Sequence, residues 1–134
     1  MIKTSQKRTE KKKQEDLLDA LYREVIRRRA MRLAKGCQCC LSPKLSHTML
    51  HTAHLHSRGK RTVRWDVRNS AGICYLCHRF LDTHRFEKEA FFRKLLGDEE
   101  YDNLAQLARK TTKECPIDYD LKEKELREAL KELQ

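Results

Sequence analysis

Residues 37–77, CQCCLSPKLSHTMLHTAHLHSRGKRTVRWDVRNSAGICYLC, begin and end with a Cys-x-x-Cys pair. Cys37 and Cys40 form the first pair, and Cys74 and Cys77 form the second. Structural zinc sites use four thiolate or imidazole ligands in a tetrahedron, and two such pairs supply four thiolates. We therefore predict one structural Zn²⁺ that ties the loop after a first helix to the start of a second helix.

Two further cysteines, Cys39 and Cys115, need a predicted role. Cys39 lies inside the first pair and could replace Cys37 or Cys40, although the two-residue gap favours the latter two. Cys115 has no cysteine nearby in the sequence and is expected to be a free thiol. Because the chain shows no signal peptide and no apolar run of about 20 residues, we expect a cytoplasmic protein without a membrane partner. In that compartment cysteines bind metals more often than they form disulfides.

The charge of the chain is large and unevenly distributed. Its 134 residues carry a net charge of +10, with 37% charged and 7% aromatic residues. So few apolar side chains build only a small core, which usually needs a metal or disulfide for stability. The excess of lysine and arginine falls before residue 86, which favours a polyanion, most often nucleic acid, as partner.

Hydrophobic periodicity predicts a mostly helical α+β fold. Residues 1–13 are expected to form a disordered basic arm, and residues 14–35 an amphipathic basic helix that ends at Gly36. The polar face of this helix could be a solvated surface or could lie along a phosphate backbone. The remaining predicted elements are strands 48–56 and 61–67 around a turn at Gly59, and helices 70–81, 86–96, 99–110 (with Asp98 as cap) and 119–134.

Histidines gather between and just after the cysteine pairs. His47, His51, His54 and His56 lie between the pairs, and His78 and His84 follow the second pair. Several imidazoles beside a stapled hairpin predict a second metal ion with open positions, the arrangement that hydrolysis needs. One imidazole would remain off the metal as a general base. Strict strand alternation places His54 with His56, and His51 on the opposite face.

The order of these motifs resembles the HNH (ββα-metal) nuclease superfamily. The Cys-x-x-Cys pairs enclose a histidine cluster, then SRG (57–59) and VRWDVRN (63–69). The closest likeness is to the NinG/Rap recombination proteins of lambdoid phages; it covers about residues 30–130 and is strongest over 37–81. The resemblance implies a zinc-stapled ββα-metal core at 36–85, a long N-terminal helix and a C-terminal helical extension at 86–134.

The resemblance also implies roles for single residues. His54 corresponds to the general base, and Asn69 to the asparagine that orients it. His51 and His78 correspond to ligands of the catalytic ion, with His56 and His84 in reserve. We expect Mg²⁺ or Mn²⁺; because His51 stands where such proteins usually have Asp, Ni²⁺, Co²⁺ or Zn²⁺ are alternatives.

Together these features predict a metal-dependent DNA endonuclease, and the resemblance implies that it leaves 5′-phosphate and 3′-hydroxyl ends. Five cations are expected to contact the DNA backbone, namely Arg58, Lys60, Arg61, Arg64 and Arg68. Phosphate contacts carry little base information, so we expect weak sequence preference, with a structure-specific role in phage recombination, in the host cytoplasm, implied by the likeness. Trp65 is expected in the core. The alternatives are a non-catalytic zinc-stapled DNA-binding module and a scaffold that forms a homodimer through its first helix.

Overall fold

The computed structural model describes residues 4–134, with side chains described from Arg8 onward. Within this range the chain is mostly helical with a small antiparallel sheet, as predicted. The helices are α1 (Thr4–Ala34), α2 (Tyr75–Thr83), α3 (Arg85–Leu96), α4 (Asp98–Arg109) and α5 (Tyr119–Leu133). The strands are β1 (His51–His54) and β2 (Ser70–Ile73), and short 3₁₀ turns cover His47–Met49, Arg61–Val63 and Val67–Asn69.

Helix α1 is longer than predicted. It begins at Thr4, so residues 4–13 are helical and not a disordered arm; residues 1–3 lie outside the described part of the chain. This stretch contains no glycine or proline, and four of its ten residues are lysine, which has high helix propensity. Lys12 and Asp16 add an i,i+4 ion pair at 3.5 Å. Local propensity is therefore sufficient to extend the helix.

The first helix ends beside the first cysteine pair. Lys35 takes the left-handed conformation, with φ of 57°, and Gly36 follows. Gly36 bridges Pro43, and a Cβ on this glycine would lie 2.1 Å from the Ser42 carbonyl oxygen. No larger residue fits without moving the loop, so the predicted stop at Gly36 reflects close backbone approach.

The second strand is not where it was predicted. Residues 61–67 contain no strand and lie in turns, with 3₁₀ segments at Arg61–Val63 and from Val67, and β2 is Ser70–Ile73, within the predicted helix 70–81. β1 and β2 pair antiparallel, with His51 opposite Ile73 and His54 opposite Ser70. All four residues of β2 are buried because α1 packs on them, so the strand lacks the alternation that marks a half-exposed strand. A Cβ on Gly72 would lie 2.6 Å from the Ala30 Cβ, which shows how closely α1 approaches.

Three apolar clusters hold the elements together. The apolar face of α1 packs against Trp65 and against Leu126 of α5, and Trp65 is 2% exposed, as predicted. A second cluster joins the two strands to α2 and α3 around Phe92. Val63 packs on α4 in the third. The alternating side chains at 61–67 thus reach two different clusters, which explains why they resemble a strand in sequence.

The C-terminal helices follow the predicted ranges closely. α3 ends before Gly97, whose φ of 84° is the left-handed conformation that favours glycine. Gly97, not Asp98, occupies the cap position of α4, and Asp98 is its first residue. None of the helices in residues 4–134 combines the length and the apolarity that crossing a bilayer requires.

Candidate metal centre and active site

Four sulfur atoms converge where α1 ends and α2 begins. The Sγ atoms of Cys37, Cys40, Cys74 and Cys77 all lie within 4.8 Å of one another. The Cys40 and Cys74 sulfurs are 3.9 Å apart, and a tetrahedral zinc site with Zn–S bonds of about 2.3 Å separates its sulfurs by about 3.8 Å. The four predicted cysteines therefore fit a zinc ion, and the cluster could hold one.

Backbone donors surround the innermost sulfur. The N–H groups of Cys74 and Cys40 donate to Cys37 Sγ at 3.2 and 3.4 Å. Burial raises the pKa of the Cys37 thiol, but these donors outweigh burial and bring it to about 7. The Cys37 sulfur is thus prepared to be a thiolate, the form that binds metal. Cys39 and Cys115 are half-buried and lie outside the four-sulfur cluster.

Two histidines meet beside the four-cysteine cluster. His51 begins β1 and His78 lies in the first turns of α2, and their Nδ1 atoms are 3.1 Å apart. This separation suits either an N–H···N hydrogen bond or two lone pairs directed at one cation. With a cation about 2.1 Å from both nitrogens, the N–metal–N angle would be about 95°, close to the angle between adjacent ligands of an octahedron. The pair therefore fits a divalent ion with six-fold coordination.

Asp82 adds a carboxylate to this pair that the sequence analysis missed. It lies one helical turn after His78, with its Oδ2 atom 3.4 Å from His78 Nε2. A carboxylate at this place favours the tautomer with its proton on Nε2, which leaves Nδ1 free as a metal ligand. The signal in the sequence is the i,i+4 spacing of a histidine and an aspartate on one helix.

His54 faces the same pocket as His51 and His78. The pocket has a volume of about 480 Å³, and all three imidazoles line it. The His54 ring stacks on Tyr22 with centroids 5.8 Å apart and an interplanar angle of 27°. Burial, reinforced by the charge of Arg58, lowers the pKa of His54 to about 4, so that the ring is neutral at pH 7.

Strict alternation therefore gives the wrong grouping of the histidines. β1 ends at His54, so the faces of the strand do not continue to His56. The His56 ring lines a separate pocket with Lys60 and Lys88, where its Nε2 atom is buried without a partner among the described residues. His84 stacks on Phe80 with centroids 4.0 Å apart. Neither reserve ligand lines the pocket of the other three.

Asn69 acts on the backbone and not on the ring of the predicted base. Its Oδ1 accepts from the His56 N–H at 2.8 Å, and its Nδ2 donates to the His56 carbonyl at 3.0 Å. The side chain is fully buried. Asn69 therefore fixes the chain that leaves β1, two residues after His54, and its effect on His54 is indirect.

Most of the predicted DNA-binding cations are held by acidic groups of the same chain. Arg58 and Arg64 both contact Asp19, at 2.6 and 2.8 Å. Arg61 pairs with Glu15, and Arg68 with Asp66 at 2.7 Å. The Arg64 side chain is 12% exposed and cannot meet a ligand at the surface, whereas that of Arg58 is 57% exposed and lines the pocket. Among the described residues, Lys60 is the one member of this set without an ion pair.

One face of α1 completes the pocket. Asp19, Arg23 and Arg27 follow one another at four-residue steps, and with Tyr22, the neighbour of Arg23, they line it together with the histidines. Sequence reasoning placed none of them in the site. The available signal was the polar stripe along α1, but the sequence does not reveal which element that stripe faces.

Comparison of the chain with protein-family models, with curated proteins and with solved structures finds no match. The function is therefore inferred from the geometry of the two centres.

Proposed function

We propose that this protein is a metal-dependent endonuclease that hydrolyses phosphodiester bonds of DNA. The observation that carries the proposal is the convergence of His51, His54 and His78 in one basic pocket. The first and third offer two nitrogens to one cation, and the second is a neutral imidazole beside them. This combination supplies both parts that metal-assisted hydrolysis requires.

In the proposed reaction, His54 accepts a proton from a water molecule whose oxygen attacks phosphorus. The bond from phosphorus to the 3′ oxygen breaks, and that oxygen leaves and takes up a proton, giving 5′-phosphate and 3′-hydroxyl ends. A divalent cation held by His51 and His78 would supply positive charge to offset the charge that develops on the phosphate oxygens.

The zinc cluster and Asn69 have mechanical roles in this proposal. The four cysteines join the end of α1 to the start of α2, which carries His78. Asn69 fixes the chain that follows His54. The HNH likeness implies two antiparallel strands followed by a helix, with a metal bound between the strands and the helix. We propose on this basis that the chain is an HNH nuclease of the NinG/Rap type.

Weak sequence preference is part of the proposal. Three of the pocket residues, Arg23, Arg27 and Arg58, are cations, which attract the phosphodiester backbone. Contacts of this kind position a nucleic acid without reading its bases.

A nicking assay tests the proposal. Zinc-loaded protein would be incubated with plasmid, single-stranded and branched DNA in the presence of Mg²⁺, Mn²⁺, Ni²⁺ or Co²⁺. We expect His54→Ala to lower the rate about 100-fold or more, as loss of a general base does. His84→Ala is the matched control, because His84 lies outside the pocket.

Equal rates for the wild type and His54→Ala with every ion would refute the proposed chemistry. DNA binding without cleavage would instead identify the zinc-stapled DNA-binding module as the function.

A further inference from the structure

Arg23 is the cation of the pocket whose charge is not compensated. It is exposed, lies on α1 and lines the pocket with His51, His54 and His78. Among the described residues it has no ion-pair or hydrogen-bond partner. By contrast, Arg58 contacts Asp19 at 2.6 Å, and Arg27 contacts Glu24 at 3.1 Å. Arg23 is therefore the guanidinium of this pocket that is free to bind an anion.

The position of Arg23 relative to the histidines is fixed by contacts between α1 and the hairpin. Arg29 donates to the carbonyl oxygens of Ser70 and Val67 at 2.7 and 2.9 Å. Tyr22, next to Arg23, hydrogen-bonds to the Ser70 hydroxyl at 2.7 Å while its ring stacks on His54. Since a Cβ at Gly72 would clash with Ala30, the helix also lies as close to β2 as packing allows.

The surroundings favour a phosphate as the anion. The cations that line the pocket are Arg23, Arg27 and Arg58, against the single carboxylate of Asp19, which Arg58 and Arg64 already occupy. A guanidinium offers several N–H donors in a plane and binds two oxygens of one phosphate at once. Arg27 lies one turn along the helix on the same face and adds positive potential behind Arg23.

We propose that Arg23 of α1 binds the phosphodiester group that undergoes cleavage, an inference that rests on the proposed nuclease function. The first helix then belongs to the active site and is not merely a support for the hairpin. Its guanidinium donates to the non-bridging oxygens of the reacting phosphate, where negative charge grows in the transition state. The contact is stronger in the transition state than in the ground state, so its loss lowers kcat/KM.

Hydrolysis of bis(4-nitrophenyl) phosphate tests this role, because that compound contains one phosphodiester and no neighbouring phosphates. With zinc-loaded protein and Mn²⁺, we expect Arg23→Gln to lower kcat/KM about 100-fold, in the range of lost transition-state donors. Arg23→Lys should recover part of the loss, since it restores charge but not the two-donor geometry. The control is Arg109→Gln, which removes the same charge from an exposed position on α4 outside the pocket. Equal kcat/KM for Arg23→Gln and Arg109→Gln would overturn the inference.

Binding to a labelled DNA duplex separates this inference from the nuclease proposal. Anisotropy titrations at several salt concentrations, without divalent ions, should show weaker binding by Arg23→Gln and a salt slope reduced by about 1. If the wild type binds DNA and hydrolyses no substrate, the nuclease proposal fails. In that case, weaker DNA binding by Arg23→Gln but not by Arg109→Gln would still identify Arg23 as a phosphate contact. If Arg23→Gln and Arg109→Gln bind equally well, Arg23 is not such a contact. Circular-dichroism melts of all variants should coincide, because both arginines are exposed.

Discussion

The side chain of Asn69 holds the backbone of His56 at both its N–H and its carbonyl group, with bonds of 2.8 and 3.0 Å. Asn69 is fully buried and lies immediately before β2, whereas His56 lies two residues after the end of β1. The pair therefore closes the hairpin at the end that carries His54. An aspartate could accept one of these bonds but could not donate the other.

Loss of the Asn69 amide should destabilise the hairpin. In Asn69→Ala, two part-buried backbone groups of His56 lose their partners, and we expect a loss of about 2–4 kcal/mol in the free energy of unfolding. Urea denaturation of the zinc-loaded protein measures it. Asn103→Ala, at an exposed position of α4, is the matched control and should change stability by less than about 0.5 kcal/mol. Similar values for the two variants would show that the amide bonds contribute little.

Removal of one cysteine of the cluster should abolish both zinc binding and folding. Structural zinc supplies about 10 kcal/mol or more to small domains, more than the stability of most of them. We expect Cys74→Ser to lose its zinc equivalent and the cooperative thermal transition. The control is Cys115→Ser, which is outside the cluster and should keep one zinc per chain. Elemental analysis and circular dichroism check both, and a folded, zinc-bound Cys74→Ser would disprove the ligand set.

Asp82 should tune the affinity for the second ion. Its carboxylate lies 3.4 Å from His78 Nε2, and loss of such a partner typically weakens metal binding 10–100-fold. We expect Asp82→Asn to raise the Kd of the zinc-loaded protein for Ni²⁺ or Mn²⁺ by about that factor, measured by isothermal titration calorimetry. Asp102→Asn, on the exposed face of α4, is the control. An unchanged Kd for Asp82→Asn would mean that the carboxylate does not act on His78.

The pH dependence of stability should reveal the buried imidazole of His54. Its pKa is about 4 in the folded protein and 6.5 in the unfolded chain, so between these pH values the unfolded chain binds a proton that the folded protein does not. Stability contributed by the neutral ring is complete above pH 6.5 and declines as pH falls towards 4. We expect the wild type to lose up to about 1.4 kcal/mol per pH unit more than His54→Gln in this window. Parallel pH profiles in urea denaturation would contradict the lowered pKa.

The cysteine and histidine patterns show how much of the site residue spacing in the sequence can predict. The two Cys-x-x-Cys pairs predict a four-sulfur cluster because each pair lies on a tight turn or helix start, and the sulfurs do lie together. The same reasoning fails for the histidines, since alternation assumes that β1 continues to His56, whereas it ends at His54. Where a strand ends depends on its partner, and β2 was predicted at the wrong residues.

The arginines show the same limit of sequence-based prediction for charge. Their number correctly gives a basic chain, but Glu15 and Asp19, about 40 residues earlier, hold Arg58, Arg61 and Arg64. Ion pairs over such distances depend on how α1 packs against the loop. Arg23, the cation of the pocket without an ion pair among the described residues, lies in a helix that sequence periodicity describes only as amphipathic.

The sequence by itself determined the C-terminal helices and the four clustered cysteines that could hold a zinc ion, because helix propensity, stop residues and ligand spacing act over a few neighbouring residues. Only the tertiary structure decided the position of β2, the partners of the arginines and the contribution of α1 to the pocket. The physical reason is that contacts between segments distant in the sequence set the position of α1 on the hairpin and so determine which charges meet. Among them are Ala30 against Gly72 and the hydrogen bonds from Arg29 to the carbonyl oxygens of Ser70 and Val67.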